Sequence, residues 1–332
     1  MKRWIFGLVA IVAAIALTAG EGVTAQRNVR IGYVTSSGAT PNPNDLFGRP
    51  YAGFISTVHA LGLQGRVVQV SPNQDAWGAL SLLARQRYDL VIVGLPAFDS
   101  VVSVARAFPR TKFLLPDLSV RDIKNPPKNI QGSVFRAEEA GYLAGYLAAA
   151  MEKRRPGRHV IGSVGGFSSP GVDRWIVGYR AGAKRADPRV VVLNTYANSF
   201  NNPTKCHTVA LDQIAKGAGV LFNVAGGCGL GTLEAAKEHG VWGIGVDVDQ
   251  SFLGRHILTS AVSRGDVAVR NAMDQMAHGA FKTGGDTVFD LSDGGVGLGK
   301  ISPEVPRPIL RELDAVRRQI IAGRIKVPRI IP

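Results

Sequence analysis

Two aspartates, Asp117 and Asp247, each close a short apolar run. A carboxylate in such a place can accept hydrogen bonds from the hydroxyl or ring N–H groups of a ligand, with charge-assisted strength. The competing role is a turn or helix-cap residue, which suits Asp generally. Phe47, Trp175 and Phe200 also follow apolar runs, and a ring there either stacks on a planar ligand or fills core. The stretch 226–231, GGCGLG, opens a helical pattern, and Asp247 lies twenty positions beyond Gly227. A dinucleotide site has these two parts, a glycine-rich turn and an acidic residue for the ribose hydroxyls. The third glycine of that motif would fall at Thr232, however, and the unit does not begin a domain. A nucleotide-cofactor-dependent α/β enzyme is therefore the alternative reading rather than the leading one.

Catalytic chemistry is not indicated. The chain has no G-x-S-x-G, H-E-x-x-H or Walker A sequence. Cys206 and His207 are adjacent, whereas a Cys–His nucleophile pair is usually distant in sequence. No acid, base and nucleophile assemble, so no catalytic residue, metal ligand or cofactor is assigned. Cys206 and Cys228 are too few and too widely spaced for a zinc site. In an exported protein they permit one disulfide, worth about 3 kcal/mol for such a loop, and bridge and free thiols both stay open. The formal charge of +14 could suit nucleic acid, but the basic residues are scattered. Lys153, Arg154, Arg155 and Arg158 form the one tight group. With little access to DNA for an exported chain, a basic surface toward anionic lipid is the better match, and no nucleic-acid partner is expected.

The elements that must position these residues follow a strict alternation. Residues 1–25 carry a basic start at Lys2 and Arg3, an apolar run over 4–17 and small residues at 23–25. This is an export segment, shorter than a membrane span and without a Cys for lipid attachment at the cleavage point; whether it is cleaved or kept as an anchor stays open. Beyond it, short apolar runs at 29–34, 66–70, 89–95 and 112–115 read as buried parallel strands, with helical patterns between them. A second series follows residue 135, with strands at 159–164, 190–195, 219–224 and 241–246. Two doubly wound parallel sheets result, separated near Asn125-Pro126-Pro127. Further runs at 256–262 and 287–291 read as strands, and 306–322 as a last helix. Ligands collect at the carboxyl ends of such strands, which is where the aspartates and aromatics above fall.

The stretch 135–148, FRAEEAGYLAGYLA, is similar to the F-R-x-x-E-x-x-Y-L-A-G signature of the basic membrane protein (BMP) family of ABC-transporter substrate-binding proteins, several of which bind purine nucleosides. The segment 161–188 resembles that family's G-x-V-G-G…F-x-x-G-Y-x-A-G-A segment, with Trp175 at the usual Phe, and 220–231, 243–250 and 323–328 fit as well. The resemblance spans nearly all of 29–328. It implies a type I periplasmic-binding fold of two lobes joined by a hinge, with lobe 1 at 26–132 plus 262–284 and lobe 2 at 133–261 plus 285–332. It implies a periplasmic monomer that binds a nucleoside or nucleobase and serves a membrane ABC permease. Carried over by position, the pocket would contain Asp117, a stacking Phe200, backbone near Gly227, and Asp247 on the ribose hydroxyls; Trp175 joins the candidates as a strand-end aromatic. The family's D-x-S-F-N loop has its nearest counterpart in PNDLF (43–47), which adds Asp45 and Phe47. A ribose-contacting Lys of the family falls at Ser263, so a free base or another planar heterocycle fits nearly as well.

Overall fold

The computed structural model describes residues 29–330 except 37, 43–45, 47, 72–74, 95–96 and 158. The export segment and the candidates Asp45 and Phe47 lie outside the described residues. The first series of elements is β1 (Arg30–Ser36), α1 (Gly48–Leu61), β2 (Gln64–Val70), α2 (Trp77–Arg85), β3 (Leu90–Val93), α3 (Phe98–Ala107), β4 (Lys112–Leu115) and β5 (Ile130–Phe135). The second is α4 (Ala137–Glu152), β6 (Val160–Gly165), α5 (Pro170–Ala186), β7 (Val191–Tyr196), α6 (Pro203–Ala215), β8 (Val220–Val224), α7 (Gly229–Glu238), β9 (Trp242–Asp247) and β10 (Ile257–Ser263). The chain ends with α8 (Gly265–Ala277), β11 (Gly285–Phe289), β12 (Val296–Leu298) and α9 (Arg307–Ile321).

The two sheets repeat one topology. Their strand orders are β11-β5-β4-β3-β1-β2 and β12-β10-β9-β8-β6-β7, so β1 to β5 correspond one by one to β6 to β10. The inner strands pair in parallel, which requires helices on both faces and explains their unbroken apolar character. In β3, Val91 and Val93 face the core under α2 and α3, while Leu90 and Ile92 face the core under α1 and α8. The period-2 alternation of a strand thus feeds two apolar cores from a single run.

Three crossings join the lobes, and here the expected boundaries need correction. The chain leaves the first sheet after Phe135, returns after Ser263, and leaves again after Phe289. The strand at 285–289, expected in the second lobe, pairs in parallel with β5 from Gly285↔Gln131 to Phe289↔Phe135. Its aromatic end stacks on its neighbour, with Phe135 and Phe289 ring centroids 5.5 Å apart. Periodicity reveals a strand but not which sheet it joins, and β12, only three residues long and antiparallel, gave no signal at all. The crossings bond to one another: Arg136 N–H donates to Phe289 O (2.8 Å) and Arg264 N–H to Gly295 O (2.8 Å). Leu291 N–H donates to the Glu139 carboxylate (3.0 Å), so this first-turn acid of α4 ties the first crossing to the third.

The small-residue face of α4 packs against a matching face of α5. A Cβ at Gly141 would lie 2.3 Å from the Trp175 carbonyl oxygen, and one at Gly145 would lie 1.9 Å from that of Tyr179. The contact is reciprocal, since Gly178 and Gly182 meet the carbonyls of Glu138 and Tyr142 at 2.0 and 1.9 Å. Four glycines spaced by four residues therefore bring two helix backbones together beside the first crossing. On the other face of the sheet, Cys206 on α6 and Cys228 before α7 form a disulfide, both sulfurs fully buried. Closing a loop with a sequence separation of 22 residues is worth about 3 kcal/mol. We expect Gly145→Ala to lower unfolding free energy in urea by about 1–3 kcal/mol or more, through overpacking against fixed backbone. Gly171→Ala, in the first turn of α5 with open space around it, should instead be neutral or stabilising by up to about 1 kcal/mol.

Candidate functional site

Asp117 follows β4 and Asp247 ends β9, and β4 and β9 occupy equivalent places in their sheets. Both residues adopt positive φ, 62° and 63°. Non-glycine residues there cost on the order of 1 kcal/mol each and persist where surrounding structure holds them. At Asp247 the strain is a three-residue turn closed by Val248 N–H donating to Val246 O (2.7 Å).

What holds them is polar and mostly buried. The loop of Asp117 is pinned by Asp286 of β11, whose carboxylate accepts from Val120 N–H (2.7 Å) and the Ser119 hydroxyl (2.6 Å). Placing β11 in the first sheet is thus what fixes the Asp117 loop. Beyond Asp247, the Gln250 side-chain oxygen accepts from Val246 N–H (3.0 Å) and Asn223 Nδ2 (3.3 Å), and the Ser260 hydroxyl accepts from Gln250 N–H (3.0 Å). Asn223 Oδ1 in turn accepts from Ala225 N–H (3.1 Å), linking the network to the glycine loop.

The glycines of 226–231 are used for packing. A Cβ at Gly229 would sit 1.5 Å from Asn223 Oδ1, and one at Gly231 would sit 1.9 Å from the Pro203 carbonyl. Gly226 takes positive φ, and Gly227 stays exposed near the Phe200 carbonyl. Phe200 is 42% exposed, tilted against Phe167 at 5.2 Å, and lies over Gly166, where a Cβ would be 2.3 Å from the ring. Phe200 and Gly227 therefore form one wall at the carboxyl ends of β7 and β8. Trp175 is elsewhere: it is 6% exposed within the core of the second lobe.

A cavity of about 470 Å³ opens at the carboxyl ends of the first-lobe strands, beside the crossings, at the ordinary size for a small-molecule pocket. Its lining includes Tyr33, Thr35, Arg49, Phe98, Asp117 and Ser263, with the crossing residues Phe135 and Gly265. Hollows of similar volume on the outside of the first lobe lack convergent carboxylates. Arg49, just inside α1, is not singled out by the sequence, which points only to the stretch 43–47 before it. Its guanidinium is buried, donates to the Ser263 carbonyl (3.2 Å), and is attracted to Asp266, Asp249 and Asp247. The Ser263 side chain stands beside the Asp247 carboxyl and favours its charged form. A cation from the first lobe thus stands beside Ser263, the position where the family resemblance leads one to expect an ammonium.

The electrostatics of the cleft follow from crowding two acids between two walls. Desolvation, then the charge of Asp247, raises the Asp117 carboxyl to about 7, with Arg174 of α5 opposing. Asp247 is raised to about 6 by desolvation, opposed by Arg49 and the Ser263 hydrogen bond. Asp117 keeps an exposed surface toward the cleft, so its surroundings are those of a groove floor rather than of a core. Arg264 and Asp266 satisfy each other through two bonds (3.1 and 3.0 Å). Two acids facing two arginines, Arg49 and Arg174, suit a neutral ligand rich in hydrogen-bond donors and acceptors. Among the described residues no group of three or more His, Cys, Asp or Glu could hold a metal ion.

A carboxyl raised in the folded state contributes stability that is present at low pH and lost as pH rises through the folded value. For Asp117 the loss runs from its ordinary 3.8 up to about 7. Asn tolerates the same backbone conformation, so Asp117→Asn should melt at higher temperature than the parent at pH 8 and at the same temperature at pH 4. A melting temperature at pH 8 equal to or below the parent would contradict the crowding.

This geometry agrees with what the chain is similar to. Residues 48–330 match the family described as ABC transporter substrate-binding protein PnrA-like. The nucleoside-binding protein BmpA of Lactococcus lactis, an ABC transporter component, is 30% identical over 265 residues, covering 74% of this chain and 72% of that protein. Basic membrane protein B of Borrelia garinii is 34% identical over 246 residues, covering 72% and 69%. In three dimensions the chain superposes on an ABC transporter solute-binding protein from Aeropyrum pernix with a TM-score of 0.74 at 23% identity, covering 91% of this chain and 94% of that one. The fold is the type I periplasmic-binding fold, and the chain belongs to the Bmp family of ABC-transporter substrate-binding proteins.

Proposed function

We propose that the protein is an exported, monomeric receptor that binds a purine nucleoside between its lobes and delivers it to a membrane ABC permease, without catalysing a reaction. The observation that carries this reading is the matched pair of strand-end carboxylates, Asp117 and Asp247, set against Arg49 and Arg174 in one cleft. A carboxylate beside a guanidinium offers acceptor and donor together, which is what a hydroxyl-bearing heterocycle requires. Phe200, exposed and within a wall of glycine backbone, is the ring that would stack on the base. By the resemblance Asp45 and Phe47 would also contact the ligand, Gly227 would offer backbone, and Trp175 would act from beneath the surface as part of α5.

A free nucleobase is the second reading, because Ser263 stands where the resemblance leads one to expect a ribose-binding Lys. The guanidinium of Arg49 at the Ser263 carbonyl favours the nucleoside. A nicotinamide enzyme is less favoured, because Gly229 and Gly231 are filled by Asn223 and Pro203 rather than left open to a pyrophosphate.

Thermal-shift titration of the protein against ribonucleosides, bases, sugars and NAD separates these readings. Stabilisation should be largest with a purine ribonucleoside, and Phe200→Ala should weaken it about tenfold, the value of one good aromatic stack. An unchanged affinity in Phe200→Ala removes the stacking role. Stabilisation by NAD alone, with turnover of a hydroxy substrate, would overturn the receptor reading.

A further inference from the structure

The amino ends of the strands in the first lobe carry a cationic surface that ligand binding does not use. The turns that lead into β3, β4, β5 and β11 supply Arg85, Arg87, Arg110, Lys124, Lys128 and Lys282, all exposed. The strand register places these turns side by side, since Ile31 pairs with Leu90, Leu90 with Lys112, Phe113 with Ile130, and Gly285 with Gln131. Two neighbouring hollows share Arg110: one adds Lys128 and Lys112, the other Arg85 and Arg87. None of the six forms an ion pair among the described residues. Of the carboxylates in these turns, Asp89 accepts from Arg30 N–H (2.9 Å), and Asp122 precedes Lys124 by two residues without pairing to any of the six. On the second lobe some exposed cations are answered in place, Lys216 by Asp212 and Lys237 by Glu234.

We propose that this pole docks on an anionic phospholipid surface. Six uncompensated cations on one face attract a negatively charged headgroup layer, each worth about fivefold in affinity when close to it. The pole lies at the opposite ends of the strands from Asp117, so contact there leaves the ligand cleft open. Phosphate-rich headgroups fit this mixture of Arg and Lys, Arg by its planar fork and Lys as a point charge. The inference stands apart from the nucleoside reading, since neither uses the residues of the other.

Flotation with large unilamellar vesicles tests it. The protein should bind vesicles of phosphatidylcholine with about one-third phosphatidylglycerol at low salt, ignore pure phosphatidylcholine, and be released at high salt, where screening shortens to a few ångströms. A variant combining Arg85→Gln, Arg87→Gln, Arg110→Gln and Lys128→Gln should lose binding by several hundredfold, four charges at about fivefold each. It should keep its circular dichroism spectrum and ligand affinity. Removing four exposed cations from α9 and the residues after it, with Arg307→Gln, Arg311→Gln, Arg317→Gln and Arg324→Gln, should cost much less. Equal loss in both variants would mean net charge alone acts and would overturn the proposal. Indifference to phosphatidylglycerol, or binding to DNA but not to vesicles through these residues, would overturn it equally.

Discussion

Two like charges held between two walls impose the central constraint on this molecule. Asp117 and Asp247 end equivalent strands in two lobes of one topology, both in left-handed backbone. Each raises the energy of the ligand-free cleft, by strain, desolvation or mutual repulsion. Everything around them answers that cost. Asp286 pins one loop, the Gln250–Asn223–Ser260 network pins the other, and Arg49 and Arg174 supply opposite charge. A ligand that donated hydrogen bonds to both acids would relieve part of the same energy.

Such an arrangement needs lobes that stay rigid while their connection bends. Interlocked glycines on α4 and α5 bring two helix backbones into direct contact beside the first crossing, which leaves little slack within the second lobe. The three crossings are tied by backbone hydrogen bonds and by Glu139 to Leu291 N–H. Residues near 136, 264 and 290–295 are where the chain passes between the lobes, the places at which a hinge in such a fold would bend.

Much of this was legible in the chain. Apolar runs bounded by glycines gave nearly every strand, because a parallel sheet buried on both faces leaves no polar positions to blur the run. The strand-end rule then selected Asp117, Phe200 and Asp247. Arg49 escaped it because it stands one residue inside a helix, and its importance comes from Ser263 and Asp247, which are remote in sequence. Trp175 was read as a ligand contact from its place after a strand, yet the α4–α5 contact draws it into the core. Partnership is also invisible to periodicity: β11 declares itself a strand but not its partner β5, and Cys206 and Cys228 declare themselves only as a possible pair. The cationic pole could not be read either, because its residues are dispersed in sequence and gathered only by strand register.

The central claim is that ligand engages both carboxylates in their ionised form. It is tested most directly by calorimetric titration of a purine ribonucleoside at pH 6.5 in two buffers of different ionisation enthalpy. With Asp117 near 7 and Asp247 near 6 before binding, engagement should release about one proton per ligand, and the release should fade by pH 8.5. Binding with no proton exchange, or with proton uptake, would show that these two acids are not what the ligand holds.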